Sequence, residues 1–319
     1  MAPRLSLGLP VYNGENYLAE ALESLLGQSF EDFELIISDN ASTDGTADIC
    51  QHYLKEDSRI LYFRQPRNIG CSPNHNYLVD CAQGELFKWV WHDDLYGRDL
   101  LKRCVDALDE HPEVVLAHTW TAEIDSSGDA TSLIEYPDST ASHYAPERYR
   151  SMLFDGWGGG GDGVFRTQVL RKTALFGSYH FADRVITSEI ALYGPFYQVR
   201  DWLYFRRDHP AMAQRRYSTV RARCTHLDPC RADRLRNPIA RLYAEYVWAN
   251  IAAIRNAPLP PKERSECYGY LARWIAGRIL PVVGRALHGG TLETVVPTNA
   301  TKPAISVQSL VAGQESRHS

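Results

Sequence analysis

The sequence predicts an α/β fold in which a mainly parallel sheet is flanked by helices, with an appended C-terminal helical subdomain. Three observations carry this reading. Over residues 1–120, short apolar and β-branched runs alternate with helical patterns, as in successive βαβ units. A polar cluster follows the last apolar residue of four positions along that stretch. Beyond residue 238 the pattern changes to long helical repeats.

Residues 5–11 form the first expected strand. Tyr17, Leu18, Ala21, Leu22, Leu25 and Leu26 then recur at helical spacing, which places an amphipathic helix directly behind it. Residues 33–38 make a second strand and 44–53 a second helix, with Ser42, Thr43 and Asp44 as cap candidates because their short side-chain oxygens can accept from the first free N–H groups. Strands at 60–63 and 86–91 enclose a helix near 74–82, and a helix over 97–111 with a strand at 114–119 completes the unit. Residues 125–150 read as a polar loop region, followed by a glycine run at 158–161, by Gly163, and by mixed elements to 209. Two helical patterns, 238–255 and 262–287, are divided by Pro258-Leu259-Pro260-Pro261. The Ser/Thr/Gly-rich tail, 289–319, lacks periodicity and is expected to be disordered. The implied organisation is 1–120, 121–215, 216–288 and 289–319.

A chain of 319 residues, 44% hydrophobic and 23% charged, has the composition of a soluble globular protein and room for one large or two small domains. No apolar run approaches the roughly 20 residues that span a bilayer. The N-terminus has no signal-peptide core, so a cytoplasmic protein is expected. The seven cysteines form no C-x-x-C pair, which argues against a disulfide framework or thiolate zinc site, Cys224, His226 and Cys230 being the nearest approach to one. Charge is unevenly placed. Residues 1–199 carry 15 Lys and Arg against 30 Asp and Glu, whereas residues 200–290 carry 17 against 7. The basic segment suits an anionic ligand or surface, or pairs with the acidic half. No nucleic-acid partner is expected.

In open sheets of this kind ligands bind beyond the carboxyl ends of the strands. Pro10-Val11-Tyr12-Asn13, Asp39-Asn40, Pro66-Arg67-Asn68 and His92-Asp93-Asp94 would all converge on that rim. Two adjacent carboxylates resist joint ionisation unless a cation or hydrogen-bond donors neutralise them. Asp93-Asp94 therefore reads either as a Mg²⁺ or Mn²⁺ site completed by phosphate and water, or as a turn or helix cap. Asp39 stands at a strand end, where a carboxylate can accept from a base N–H or a ribose hydroxyl.

Leu9-Pro10-Val11-Tyr12-Asn13, Asp39-x-x-Ser42-x-Asp44-Gly45-Thr46, Arg67-Asn68-x-Gly70 and Asp93-Asp94, in this order and at these intervals, resemble the family 2 glycosyltransferases of the GT-A fold, whose sheet is Rossmann-like. The resemblance covers residues 4–120 and, more loosely, 155–210. It implies a hexosyltransferase-type inverting enzyme that uses a UDP-, dTDP- or GDP-sugar and a divalent cation. Pro10, Tyr12, Asn13 and Asp39 would hold the nucleotide, Arg67 would approach base or diphosphate, Asp93 would contact ribose and Asp94 would coordinate Mn²⁺ or Mg²⁺. The sequence departs from the common Asp-x-Asp form by placing His92 before the pair, which leaves one carboxylate fewer.

Inverting transfer requires a base for the acceptor hydroxyl. The resemblance implies Asp183, in Phe181-Ala182-Asp183-Arg184, with Glu189 second. It also makes His209, after Arg206-Arg207-Asp208, either a metal ligand or a local structural histidine. The glycine run is neither a P-loop nor a dinucleotide fingerprint, and reads as an acceptor-side loop with Trp157 as a sugar platform, or as a linker. Two other classes compete: a nucleotidyltransferase, disfavoured by the lack of Lys or Arg in Tyr12-Asn13-Gly14-Glu15-Asn16, and a non-catalytic sugar-nucleotide-binding protein. The acceptor is open. The helical patterns over 238–287 mix apolar residues with arginines, which suits packing on the catalytic half, a homodimer seam, or peripheral contact with an anionic membrane.

Overall fold

The computed structural model describes residues 2–155, 162–281 and 305–306, and its first half follows the apolar runs closely. In chain order it contains β1 (Leu5–Val11), α1 (Leu18–Leu26), β2 (Phe33–Asp39), α2 (Thr46–Glu56), β3 (Ile60–Arg64), α3 (Cys71–Cys81) and β4 (Leu86–Trp89). Every residue of β1 and β2 is buried, as expected of parallel strands covered on both faces. Leu5, Leu7 and Leu9 of β1 face Leu18, Leu22 and Leu25 of α1. Truncating one such leucine to alanine costs about 2–5 kcal/mol. Gly8 faces the other way, where a Cβ would lie 2.7 Å from Phe87 and 3.0 Å from Leu78, so its missing side chain lets α3 close on the sheet.

The chain continues through β5 (Leu95–Tyr96), α4 (Leu100–Glu110), β6 (Leu116–Ile124), β7 (Asp129–Ile134), α5 (Ala145–Phe154), β8 (Val164–Arg166), α6 (Thr167–Leu170), α7 (Ala182–Ala191) and β9 (Phe196–Arg207). With β10 (Ile305–Ser306) at one edge, strand order is β10-β7-β6-β8-β4-β1-β2-β3, with β9 beside β6 and β5. The β3-β2-β1-β4 part is parallel, whereas β8 runs antiparallel between β4 and β6. Strand order reverses at β1, so the carboxyl ends of β1 and β4 flank the switch point.

Several elements depart from the sequence expectation. The polar stretch 125–150 is not a loop throughout. It contains β7 and most of α5, because Asp125 accepts from Ser127 N and Asp129 N and Gly128 takes φ 91°, closing a hairpin whose outer strand is polar. Helix α2 begins at Thr46 rather than Asp44; Gly45 holds the cap position, Asp44 Oδ1 accepts from Thr46 N at 3.1 Å, and Ser42 and Thr43 are engaged across the rim. The two-residue β5 carries no readable period.

The C-terminal part comprises α8 (Ala213–Arg216), α9 (Val220–Leu227), α10 (Ile239–Asn256) and α11 (Pro261–Trp274), the last continuing as a π-helical turn over Ile275–Ile279. Leu242, Tyr246 and Ile254 of α10 and Cys267, Leu271 and Trp274 of α11 share one core with Tyr149 of α5 and Val185 of α7. The appended helices thus close over the second half of the sheet domain. No helix among the described residues is long and apolar enough to cross a membrane. Residues 282–288 of the expected last helix, the tail apart from β10 (Ile305–Ser306), and Trp157 with Gly158–Gly161 lie outside the described residues. All seven cysteines are free; Cys224 is buried while Cys230 is exposed.

Candidate active site

The first two rim loops are stitched together by the motif residues themselves. Three successive N–H groups after β1 donate to the loop after β2: Asn13 N to Ser42 Oγ (2.9 Å), Gly14 N to Thr46 Oγ1 (2.8 Å) and Glu15 N to Asp44 Oδ2 (3.2 Å). Asn13, at φ 54°, returns the contact by accepting from Thr43 N at 2.8 Å. These bonds engage Ser42 and Thr43 across the rim, whereas Asp44 also serves α2, its Oδ1 accepting from Thr46 N, the first residue of the helix, at 3.1 Å.

Asp39 ends β2 fully buried. Its Oδ1 accepts from Ser42 N at 2.8 Å and its Oδ2 from the Tyr62 hydroxyl, also 2.8 Å. Burial and this carboxylate push the Tyr62 hydroxyl pKa up. Each carboxylate oxygen retains capacity for a further donor. The neighbouring Asn40 organises the third loop, donating to Asn68 Oδ1 (3.1 Å) and Gly70 O (3.2 Å) and accepting from Ile69 N (2.8 Å). Gly70, at φ 94°, passes so close to Leu227 and Asp228 that no side chain fits there. Arg67 projects from this loop, exposed and without an ion pair among the described residues. Pro10 lies buried in β1 beside Ser38, and Tyr12 stands 38% exposed at the strand end.

At the fourth loop the two aspartates part. Because β5 pairs with the end of β9, Leu95 opposite Phe205 and Tyr96 opposite Tyr204, Asp94 is drawn inward. It is 4% exposed, accepting from Arg207 N at 2.8 Å and from the Tyr204 hydroxyl. Burial, then the Asp93 charge, raises its carboxyl well above the ordinary value, only partly offset by those donors. Asp93 points elsewhere, with Oδ2 3.0 Å from His209 Nε2. Burial alone would raise its carboxyl, but His92 and His209 outweigh burial and lower it. The environments push the pair apart, Asp93 toward the charged form and Asp94 away from it. His209 therefore meets Asp93, and not Asp94, its fellow candidate metal ligand in the sequence.

Arg207 underpins this corner. It is 2% exposed, donates to Asp93 O (3.0 Å) and Ser126 O (3.1 Å), pairs with Glu20 at 2.7 Å, and lies 4.6 Å over the Tyr17 ring, which also contacts His209. No group of three or more His, Cys, Asp or Glu suited to a metal occurs among the described residues. Asp93 and His209 are the groups at this corner that could contribute to a cation's shell, at the expense of their mutual 3.0 Å contact, and Mg²⁺ or Mn²⁺ bound through few protein ligands takes the remainder from substrate phosphate and water.

Asp183 is the second residue of α7, exposed yet surrounded densely enough that desolvation raises its carboxyl, against the lowering effect of Arg184 and Arg223. Phe181 before it sits at φ 65°, a left-handed conformation that costs a bulky side chain about 1–3 kcal/mol and is kept only where the surroundings fix it. The loop leading there is fastened to α3: Ser72 Oγ donates to Gly177 O at 2.8 Å, and Asn76 exchanges two 3.0 Å bonds with Phe176. The His75 ring contacts both Phe176 and Trp91, joining this loop to the end of β4. Cys71, at the start of α3, is near enough that Asp183, after burial, helps push its thiol up to about 12. Glu189 lies on the buried side of α7, 3% exposed, accepting from Ala174 N at 3.0 Å. Its placement is that of a loop anchor.

Sequence reasoning missed Tyr62, Tyr204 and Glu20, and mentioned Arg207 only as part of a basic stretch. It also missed Lys88, fully buried, whose Nζ donates to the Asp162 carbonyl beneath the rim. For Tyr204 and Arg207 the signal was the length of the β9 run, which carries both to the switch point.

The chain is 23% identical over 221 residues to glycosyltransferase GlyG of Streptococcus pneumoniae serotype 4, covering 69% of this chain and 73% of that protein. It is 30% identical over 157 residues to the putative glycosyltransferase EpsH of Bacillus subtilis, spanning 48% of this chain and 44% of EpsH. Among solved structures, S. aureus TarS 1–349 in complex with UDP superposes with a TM-score of 0.54 at 19% identity, covering 93% of this chain and 95% of that one. The mannosyltransferase PcManGT from Pyrobaculum calidifontis, in complex with GDP-Man and Mn²⁺, gives 0.51 at 18% identity, covering 91% and 80%. These likenesses concern the fold. Residues 6–175 match the family model for glycosyl transferase family 2, and with more than half of its length inside that match the chain belongs to this family of the GT-A fold.

Proposed function

We propose that this glycosyltransferase moves a sugar from a nucleoside diphosphate donor to an acceptor hydroxyl with inversion, Asp183 acting as base. The observation that carries the reading is the placement of Asp183 at the start of α7, on a segment fastened through α3 to the strand ends that bear Tyr12, Asp39, Arg67 and Asp93; a carboxyl raised above its ordinary value accords with it. A carboxylate above its ordinary pKa is a better proton acceptor near neutrality. The acceptor oxygen attacks the anomeric carbon and its proton passes to Asp183. The bond from that carbon to the diphosphate breaks, its electron pair leaving with the nucleotide.

Asp39 accepts from the base or ribose, and exposed Arg67 meets base or diphosphate. Asp93 and His209 hold Mn²⁺ or Mg²⁺, while Asp94 keeps β5 and β9 in place. The cation, when bound, supplies positive charge for the diphosphate oxygens. A nucleotidyltransferase is disfavoured because the N–H groups of Asn13, Gly14 and Glu15 are already spent within the protein and cannot cradle a triphosphate. Support for a nucleoside diphosphate donor comes from fold neighbours solved with UDP, UDP-GlcNAc and GDP-Man. Calorimetry with UDP, dTDP and GDP, each with and without Mn²⁺, followed by donor hydrolysis on the nucleotides that bind, tests the proposal; absence of binding by all three contradicts it.

A further inference from the structure

Helix α10 has two unlike faces. Leu242, Tyr246, Asn250, Ala253 and Ile254 are buried, Tyr246 touching Phe181 at a ring distance of 5.9 Å just before α7. On the opposite side Arg241, Ala244, Trp248, Ile251 and Arg255 recur at helical spacing, an apolar strip with an arginine at each end. Trp248 is 62% exposed and, beyond α11, Leu280 is 58% exposed. Between them lies an open groove of about 300 Å³ lined by Tyr243, Val247, Trp248, Ile251, Ile275 and Leu280. Arg255 and Arg278 are exposed and make no ion pair among the described residues; Arg241 pairs with Glu245 at 2.8 Å. Over residues 239–281 six Lys and Arg stand against three Glu.

We propose that this face rests on the anionic surface of a lipid bilayer. An exposed tryptophan and leucine beside an apolar strip, bordered by arginines whose stems can lie along it while their heads reach outward, is the arrangement that inserts shallowly between headgroups. Charge also decides between a bilayer and a second copy. A two-fold contact through α10 sets the strip antiparallel to itself and brings Arg255 against Arg241 of the other copy, whose partner Glu245 is shared with Arg231, so the meeting groups keep a net positive charge. Anionic headgroups complement Arg255 and Arg278, which have no ion pair among the described residues. The inner face of α10 contacts the segment leading to Asp183. The proposal does not depend on the transfer reading, since lipid binding is measured without turnover.

The test is co-sedimentation of the full chain with phosphatidylcholine vesicles and with vesicles containing phosphatidylglycerol, at low and high salt. The wild-type protein is expected to pellet with the anionic vesicles at low salt and be released by salt. Trp248→Ser with Leu280→Ser is expected to abolish pelleting. Arg255→Gln with Arg278→Gln is expected to weaken it by roughly thirtyfold, from the usual contribution of a basic residue near an anionic surface. Both variants should melt like wild type and retain its solution turnover of a donor. Absence of pelleting at low salt overturns the proposal, as does unchanged pelleting by the folded double variants. A wild-type dimer in solution that Trp248→Ser converts to monomer overturns it in favour of a self-interface.

Discussion

Asp93 and His209, 116 positions apart in the chain, meet at 3.0 Å because a two-residue strand after Asp94 pairs with the end of β9. The same pairing turns Asp94 inward. One strand contact thus divides two adjacent carboxylates between a site and its scaffold.

This division predicts different outcomes for neighbouring substitutions. Asp93→Asn and His209→Ala should each remove the Mn²⁺-dependent part of nucleotide affinity, by about 10-fold to 100-fold, Asp93→Asn with little change in stability and His209→Ala with some loss because its ring is buried against Tyr17. Asp94→Asn should instead destabilise the fold by about 1–3 kcal/mol through a mismatched buried hydrogen bond. Calorimetry with and without Mn²⁺, together with urea melts, separates them. A stable Asp94→Asn protein that has lost only its metal response would reverse the assignment.

Asp39→Ala should lose UDP or dTDP affinity and also cost stability, because Ser42 N and the Tyr62 hydroxyl lose their acceptor. Tyr62→Phe removes only the second bond. If the nucleotide contact is direct, Tyr62→Phe should keep most of the affinity that Asp39→Ala loses; equal loss in both would mean that loop order alone matters.

Buried histidines set the acid limit of the fold. Burial lowers His75 and His118 from about 6.5 to about 4. The unfolded chain takes up these protons near pH 6.5 and the folded chain only near 4, so stability is full above 6.5 and falls as pH drops through that window. Each histidine contributes up to about 3 kcal/mol. Thermal midpoints from pH 7 to 4.5 should fall for wild type and less steeply for His75→Gln. Parallel slopes would remove His75 from the account.

Much of the fold was legible because its first half is written in apolar runs. β1 occupies the seven residues expected, and β2 extends one residue further than its run, through Asp39. The rim followed from strand polarity alone. What escaped was short or polar: β5 has no period, β7 is half-exposed, and Asp125 with Gly128 builds a turn that reads as loop. Likewise Asp93 and Asp94 are equivalent as letters. Only the partners supplied from residues 204–209, distant in sequence, distinguish their roles.

Asp183 carries the central claim, and the most direct measurement is nucleoside diphosphate release from a bound sugar donor, by wild type and by Asp183→Asn, across pH. The account predicts wild-type turnover that rises with pH through a value above the ordinary carboxylate range. In Asp183→Asn it predicts loss of that limb and a rate lower by about 10²–10⁴, with donor affinity retained. Wild-type turnover by a folded Asp183→Asn protein, with the same pH profile, would contradict it.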